Sequence, residues 1–471
     1  PPPAQLMPRL ALLVVLCLLA TACRENKKTV EVASAGALAP VLGNSQVNGE
    51  IAVLQVQLRA HPTGDAETWT KLARAFVRKA RQDSDPRYYQ QADDAVQRAL
   101  KLDAEHAGAL QVRQVVLLND HRFVEAKELA LSRVRKQPRD SVSWGVIGDS
   151  ALELGDYATA EQAYQAMIDL KPDLRSYNRG AWMRWLNGDS DGAVELMQMA
   201  ISAQGARESE PRAYCRVQLG DLYFQRGQYA EARTQYDLAL RDQPGYATAY
   251  LSRGRLSLSE KEPRAVADAL SDLAAAIKAS PTTTARALYI DALAFSGRND
   301  EAHKESQRLL QEGPREDPRA TALFLAMHRL KLEQALSLAQ QEAQKRPDIW
   351  SYDVLGWAAY RSGQLPLAWE SAQKASRLGT PEPRLHFHLG AIALARGERL
   401  VRARGRVARL ATDPVSTRRW CSSIPAIAVS STTKIPSSGI PSSPTRSAKR
   451  ATTSSPSSRL MLVTIPASST N

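Results

Sequence analysis

Aromatic residues are scarce in this chain of 471 residues. They make up 6% of it, while apolar residues reach 44% and are dominated by Ala and Leu. That balance favours helices over a β-sandwich and makes an all-α fold the expectation. Cysteine is scarce too. Cys17, Cys23, Cys215 and Cys421 show neither a disulfide framework nor a metal-ligand spacing, and Cys215 reads as a single buried thiol. No GxxxxGK phosphate loop and no HExxH occurs, and nothing marks a nucleophile elbow or a base beside a nucleophile. The stretch NGDSDG, Asn187 to Gly192, imitates the start of a calcium loop, yet it opens on Asn and has Gln198 where the loop needs Glu. His386 and His388 stand two apart, which on a helix points them to different sides. The expectation is a protein that is not an enzyme, with no cofactor and no metal site.

Acidic residues are missing from one region. From Arg396 onward there are thirteen Lys and Arg against only Glu398 and Asp413, so nearly all of the formal +13 charge sits in the last sixth of the chain. The body before it is close to neutral, which argues against a basic nucleic-acid face there, and no nucleic-acid partner is expected. Residues 415–471 contain no acid, hold about four Ser or Thr in ten and lack a helical period, which predicts disorder. Such an Arg-, Ser- and Pro-rich run is what GC-rich DNA encodes in a shifted reading frame; the alternative is a basic tail that binds an acidic surface.

The N-terminal region has an apolar run that is short. Met7-Pro8-Arg9 gives a small positive start, Leu10 to Leu19 an apolar core, and Ala20-Thr21-Ala22 the small residues a signal peptidase cuts after. The run is too short to span a bilayer comfortably. With Cys23 directly behind it, the segment 7–22 resembles a bacterial lipoprotein signal, although Ala20 stands where that family prefers Leu. The resemblance implies lipidation of Cys23, membrane attachment through that anchor, and, from Arg24 rather than Asp after the cysteine, an outer-membrane location facing the periplasm. A plain secretory signal with an incidental Cys is the other reading. PPPAQL before Met7 looks like translated upstream sequence, and residues 23–48 read as a tether.

Prolines punctuate what remains. Pro138, Pro172, Pro244, Pro281, Pro314, Pro347, Pro381 and Pro414 recur at about 34 residues, with one interval of two units plus an insertion. Between them a pattern repeats: Leu219, Gly220, Tyr223, Gly227, Ala232, Tyr236, Ala239 and Pro244 in one unit, and Trp144, Ile147, Gly148, Gly155, Ala160, Tyr164 and Pro172 in another. A third holds Tyr352, Leu355, Gly356, Gly363, Ala368, Ala375 and Pro381, and a unit near the front carries Trp69, Leu72, Ala73, Phe76, Ala92, Val96 and Ala99 around an acidic insertion, RQDSDPRYYQ. Three- and four-residue steps put these on one face of each of two helices; small residues allow close approach, large ones fill the gap, glycine makes the turn and proline ends the second helix. One such pair cannot bury its face alone, so the pairs must stack.

This pattern resembles the tetratricopeptide repeat. The resemblance implies, over 49–414, a solenoid of about nine to ten antiparallel helix pairs winding into a right-handed superhelix, followed by the disordered tail. It implies a function as well: an envelope scaffold or assembly factor that binds a protein or peptide in the concave groove. Helix A positions 2, 5, 9, 12 and 13, left free by the packing code, supply the candidate contacts Asn178, Trp182, Trp185, Tyr214, Asp221, Phe224, Arg255, Phe295, Trp357, Tyr360 and Arg361. The carboxylate clamp of chaperone-binding relatives needs Lys at 5 and Asn at 9; this chain has Val217 and Asp221, or Asn178 and Trp182. The competing classes are an envelope sensor or regulator that binds a small ligand, and an enzyme with an unrecognised site. An enzyme predicts a convergent polar pocket with perturbed acids.

Overall fold

A computed structural model describes residues 36–397 apart from 42, 44, 62–63, 204–208 and 261. The expected signal segment, Cys23, most of the tether, the end of the expected array at 398–414 and the tail lie outside the described residues. Helix α1 (Gln46–Ala60) opens the array. Unit 1 pairs α2 (Ala66–Gln82) with α3 (Arg87–Leu102), unit 2 α4 (Ala107–Asn119) with α5 (Phe123–Lys136), and unit 3 α6 (Ser141–Glu153) with α7 (Tyr157–Leu170). Unit 4 is α8 (Leu174–Leu186) and α9 (Ser190–Ser202), unit 5 α10 (Ser209–Gln225) and α11 (Tyr229–Asp242), and unit 6 α12 (Ala247–Glu260) and α13 (Pro263–Ala279). Unit 7 is α14 (Thr283–Phe295) and α15 (Asn299–Glu316), unit 8 α16 (Pro318–His328) and α17 (Leu332–Lys345), unit 9 α18 (Ile349–Arg361) and α19 (Leu365–Ala375), and α20 (Pro383–Ala395) begins a tenth. The described residues form an all-α repeat solenoid.

Local chemistry accounts for the boundaries. Asp140, Asp156, Asp173, Asp189, Asp317 and Asp348 cap helix N-termini by accepting backbone N–H bonds. The calcium-loop mimic is one of these caps: Asp189 accepts from the Gly192 amide at 2.9 Å. Between helices A and B the chain turns through a left-handed residue, glycine at 155, 188, 227, 297 and 363. Within the pairs, a Cβ at Gly220 would overlap the Tyr236 ring and one at Gly148 the Tyr164 ring, so the glycine of helix A and the tyrosine of helix B are a single contact. Buried alanines such as Ala160, Ala193, Ala232 and Ala368 complete it.

Three local expectations change. Pro314, expected to end a helix, lies inside α15, which runs to Glu316. The preceding Gly313 has no Cβ to meet the proline ring, so the loss is confined to one hydrogen bond in the last turn. Pro318 then opens α16 at a position where no amide is needed. The acidic insertion of unit 1 is mostly helical: it lengthens α2 and α3 and leaves a short connection at 83–86. The tether boundary at 48 also moves, because α1 starts at Gln46 and Gln55 Nε2 donates to the Ala37 and Ala39 carbonyls at 3.0 and 2.8 Å, with Ala37 fully buried.

A second order of packing joins units far apart in sequence. The A–B turn of unit 1 meets the junction of units 6 and 7, where Ser280 Oγ donates to the Ser84 carbonyl at 3.0 Å. At the turn of unit 2, burial pushes the His121 imidazole below its usual range, with Arg346 the next contributor. The turn of unit 3 sits on the junction of units 8 and 9: Tyr157 Oη accepts from the Ile349 amide at 2.9 Å and Arg377 Nη2 donates to the Gly155 carbonyl at 3.0 Å. The turn of unit 4 sits on the next junction, where Thr380 Oγ1 donates to the Leu186 carbonyl at 2.6 Å. The offset is constant: each turn meets the junction five to six units on, so successive superhelical turns share a seam. Gly155 serves two demands here, since its φ is +70° and a Cβ would overlap the Pro347 carbonyl oxygen.

Two substitutions at left-handed turns should have opposite signs. Gly155→Ala adds the left-handed cost of about 1–2 kcal/mol and a seam clash, lowering the thermal midpoint. Lys331, with φ +39°, should give the reverse: Lys331→Gly relieves strain and raises stability by about 1 kcal/mol. Urea unfolding of both variants against the parent checks the pair of signs.

Candidate functional site

Helices A form the inner wall. Successive A helices touch along most of the array, and no two B helices do so to the same extent. The side chains at the packing-free A positions therefore face one another around the inside, and the seam brings the inner faces of units 4 and 9 together. Trp350, at position 2 of α18, stacks on Trp185 with ring centroids 5.9 Å apart and planes at 14°, while Trp182 lies 4.7 Å from Trp185 and 6.5 Å from Trp350.

The candidate contacts sort into three groups. Trp185 and Trp357 are enclosed by the chain itself, at 2% and 5% exposure. Trp185 is covered by Trp350 across the seam, and Trp357 by His388, which stacks on it at 4.1 Å. Asp221, Arg255 and Phe224 form a half-buried cluster: Asp221 Oδ1 accepts from Tyr236 Oη at 2.7 Å and from Arg255 Nη2 at 2.8 Å, and the Arg255 guanidinium lies 4.9 Å over the Phe224 ring. Asn178 is half-buried beside Met197, and Tyr360 and Arg361 lie beside Trp357. Tyr214 and Phe295 are open, at 40% and 38% exposure.

Sequence reasoning did not find Trp350, Glu382 or Arg384, because each acts across the seam or between units. Glu382 Oε2 accepts from Gln225 Nε2 at 2.8 Å, and burial pushes its carboxyl above the usual range. Arg384 Nε donates to Asp353 Oδ2 at 2.9 Å, and His388 Nδ1 is 2.8 Å from Asp353 Oδ1. Burial works to raise Asp353, but His388 and Arg384 outweigh it and hold the carboxyl below its usual range. Trp350 occupies position 2, one of the positions read for contacts, and was the one signal available.

The polar groups pair with one another rather than converge on an open space. Asp149 accepts from Arg179 Nε at 2.8 Å and from Tyr164 Oη at 2.9 Å. An open hollow between units 2 and 3 is lined by Gln111, Pro138, Asp140 and Ser141, with Asp140 engaged by Gln111 and Ser143. Among the described residues there is no group of three or more His, Cys, Asp or Glu able to hold a metal ion. Cys215 is fully buried and unbridged, and burial pushes its thiol up to about 12.

Two family models match stretches within the array. A family model described as "Tetratricopeptide repeat" matches residues 146–209, and one described as "TPR repeat" matches residues 220–256. The chain carries tetratricopeptide repeats. Mouse tetratricopeptide repeat protein 36 is 37% identical over 95 residues, 20% of this chain and 50% of that protein. Human intraflagellar transport protein 70A is 24% identical over 162 residues, 26% of this chain and 24% of that protein. The chain thus spans half or less of the length of these curated relatives. Among solved structures, the type IV pilus biogenesis factor PilW aligns with 13% identity and TM-score 0.38 over 44% of this chain and 94% of that one. Human IFIT1 with PPP-AAAA aligns with 12% identity and TM-score 0.43 over 74% of this chain and 95% of that one.

The repeat array makes two measurable statements about its inner wall. Trp185 and Trp350 should couple in a double-mutant cycle by about 0.5–1.5 kcal/mol beyond their separate losses. Cys215 should resist maleimide at pH 8 in the folded protein and react at once in urea, because the enclosed thiol stays protonated.

Proposed function

We propose that this chain is a protein-binding scaffold of the bacterial envelope, held to a membrane through a lipid on Cys23, that engages a peptide or protein segment along the inner wall near units 4 to 6. The observation that carries the binding reading is the half-open row of Trp182, Tyr214, Phe224 and Arg255. Aromatic and arginine side chains of this kind supply large contact area at low entropy cost and dominate binding energy at interfaces. Near units 4 to 6 the acids and bases of the wall pair with one another, as Asp149 with Arg179, Asp221 with Arg255 and Asp272 with Arg253, which supports recognition over catalysis. The envelope location rests on the segment from Met7 to Arg24 alone. From Arg24, the reading extends to the outer membrane.

Two experiments test this. Immobilised full-length chain should retain a discrete partner from envelope extracts, and the Trp182→Ala/Tyr214→Ala variant should bind that partner about tenfold more weakly; equal affinity would place the contact elsewhere. Cys23→Ser should abolish incorporation of a labelled fatty acid and release the protein from the membrane fraction. Continued labelling would contradict the anchor.

A further inference from the structure

The A–B turns of units 1, 2 and 8 do without glycine at the left-handed position: units 1 and 2 place one residue there, Ser84 and His121, and unit 8 places two, both cations. Where units 3, 4, 5, 7 and 9 use glycine for the left-handed residue, the unit 8 turn puts Arg329 at φ +56° and Lys331 at φ +39°. Glycine adopts this backbone without a steric cost, so two cations here keep a strained conformation that the fold does not require. Leu330 between them packs against the core beside Leu325 and Leu336 and pegs the turn, leaving Arg329 and Lys331 exposed.

A third cation joins them from unit 9. Ser362 Oγ donates to the Leu332 carbonyl at 3.5 Å, bringing the end of α18 against the turn. Arg361 is fixed there: Nε and Nη2 donate to the Ala326 and Met327 carbonyls at 3.0 and 3.2 Å, and the guanidinium lies 5.3 Å over the Trp357 ring. Most other arginines on the A helices meet carboxylates, as in Arg179 with Asp149, Arg253 with Asp272, Arg319 with Asp348 and Arg384 with Asp353. Among the described residues, Arg329, Lys331 and Arg361 pair with none. Burial and the Arg329 charge beside it push Arg361 below its usual range, the direction that uncompensated positive charge produces.

We propose that this turn docks an acidic peptide segment whose carboxylates pair with Arg329, Lys331 and Arg361. Gathered cations without counter-charge call for an anion, and an arginine held on two carbonyls and an aromatic face presents its remaining donors in a fixed direction. The patch is short. On one side Arg298 is already paired with Glu301 at 2.6 Å, and on the other the unit 9 turn offers Gln364. A nucleic-acid strand gains its affinity from a longer row of phosphate contacts, so two or three carboxylates fit this patch better. The site is separate from the inner-wall row near units 4 to 6 and does not depend on it.

Zero-length carbodiimide coupling of a biotinylated hexaglutamate peptide to the full chain, mapped by mass spectrometry, tests it at a single residue. Lys331 should be modified about tenfold more than the exposed Lys278 and Lys345, and less as salt rises. Arg329→Gly, which relaxes the backbone, and Arg361→Gln should each cut the yield at Lys331 several-fold, while Trp182→Ala/Tyr214→Ala leaves it unchanged. Equal modification of the three lysines, or full yield in Arg329→Gly, would overturn the assignment. So would a hexanucleotide RNA that displaces the peptide better than unlabelled hexaglutamate does.

Discussion

The inner wall of this array depends on one interaction, the seam between successive superhelical turns. Helix pairs stacked side by side fix only their neighbours, and a solenoid held that way is a spring. Here the A–B turns of units 1 to 4 rest on junctions five to six units further on. The contacts are directional and largely buried: the Tyr157 hydroxyl with the Ile349 amide, Thr380 with the Leu186 carbonyl, and the tryptophan stack of residues 185 and 350. Each needs the turn to approach closely, and Gly155 permits the closest of these approaches by offering no side chain to the Pro347 carbonyl. A spring clamped in this way has a fixed pitch, so the inner wall has a fixed set of neighbours.

That clamp divides the candidate contacts. Packing positions within a unit determine which A-helix side chains point inward, and the seam determines which of those stay accessible. Trp185 is consumed by it, Trp182 stays half-buried beside the stack, Tyr214 is open, and Arg255 is steadied by Asp221 and Phe224. Ion pairs inside the wall are partly screened from water and mutually compensated, so they set geometry rather than add large stability. The unit 8 turn stands apart because its cations have no such compensation.

Much of the fold was legible because the repeat code is local. The contact of Gly220 with Tyr236, the left-handed turn at Gly227 and the proline after helix B all lie within one period of about 34 residues, so spacing alone places them. Pro314 misled because a proline in the last helical turn after a glycine costs little, and RQDSDPRYYQ because a charged run can as well extend two helices as separate them. The seam was not legible at all. It depends on the small rotation between units accumulated over half the array, and no motif joins Tyr157 to Ile349. Trp185 and Trp357 stand at positions the code leaves free, and only the tertiary winding decides whether a free position meets solvent or the chain.

The most direct test of the seam is hydrogen exchange at the Ile349 amide. This N–H stands at the start of α18, where a helix offers its first amides no internal partner, and its acceptor is the Tyr157 hydroxyl across the seam. In the intact protein it should exchange as slowly as amides inside α18, and Tyr157→Phe should speed Ile349 selectively while α10 to α13 are unchanged. Exchange at the rate of an open turn in the unaltered protein would mean that the turns are not clamped.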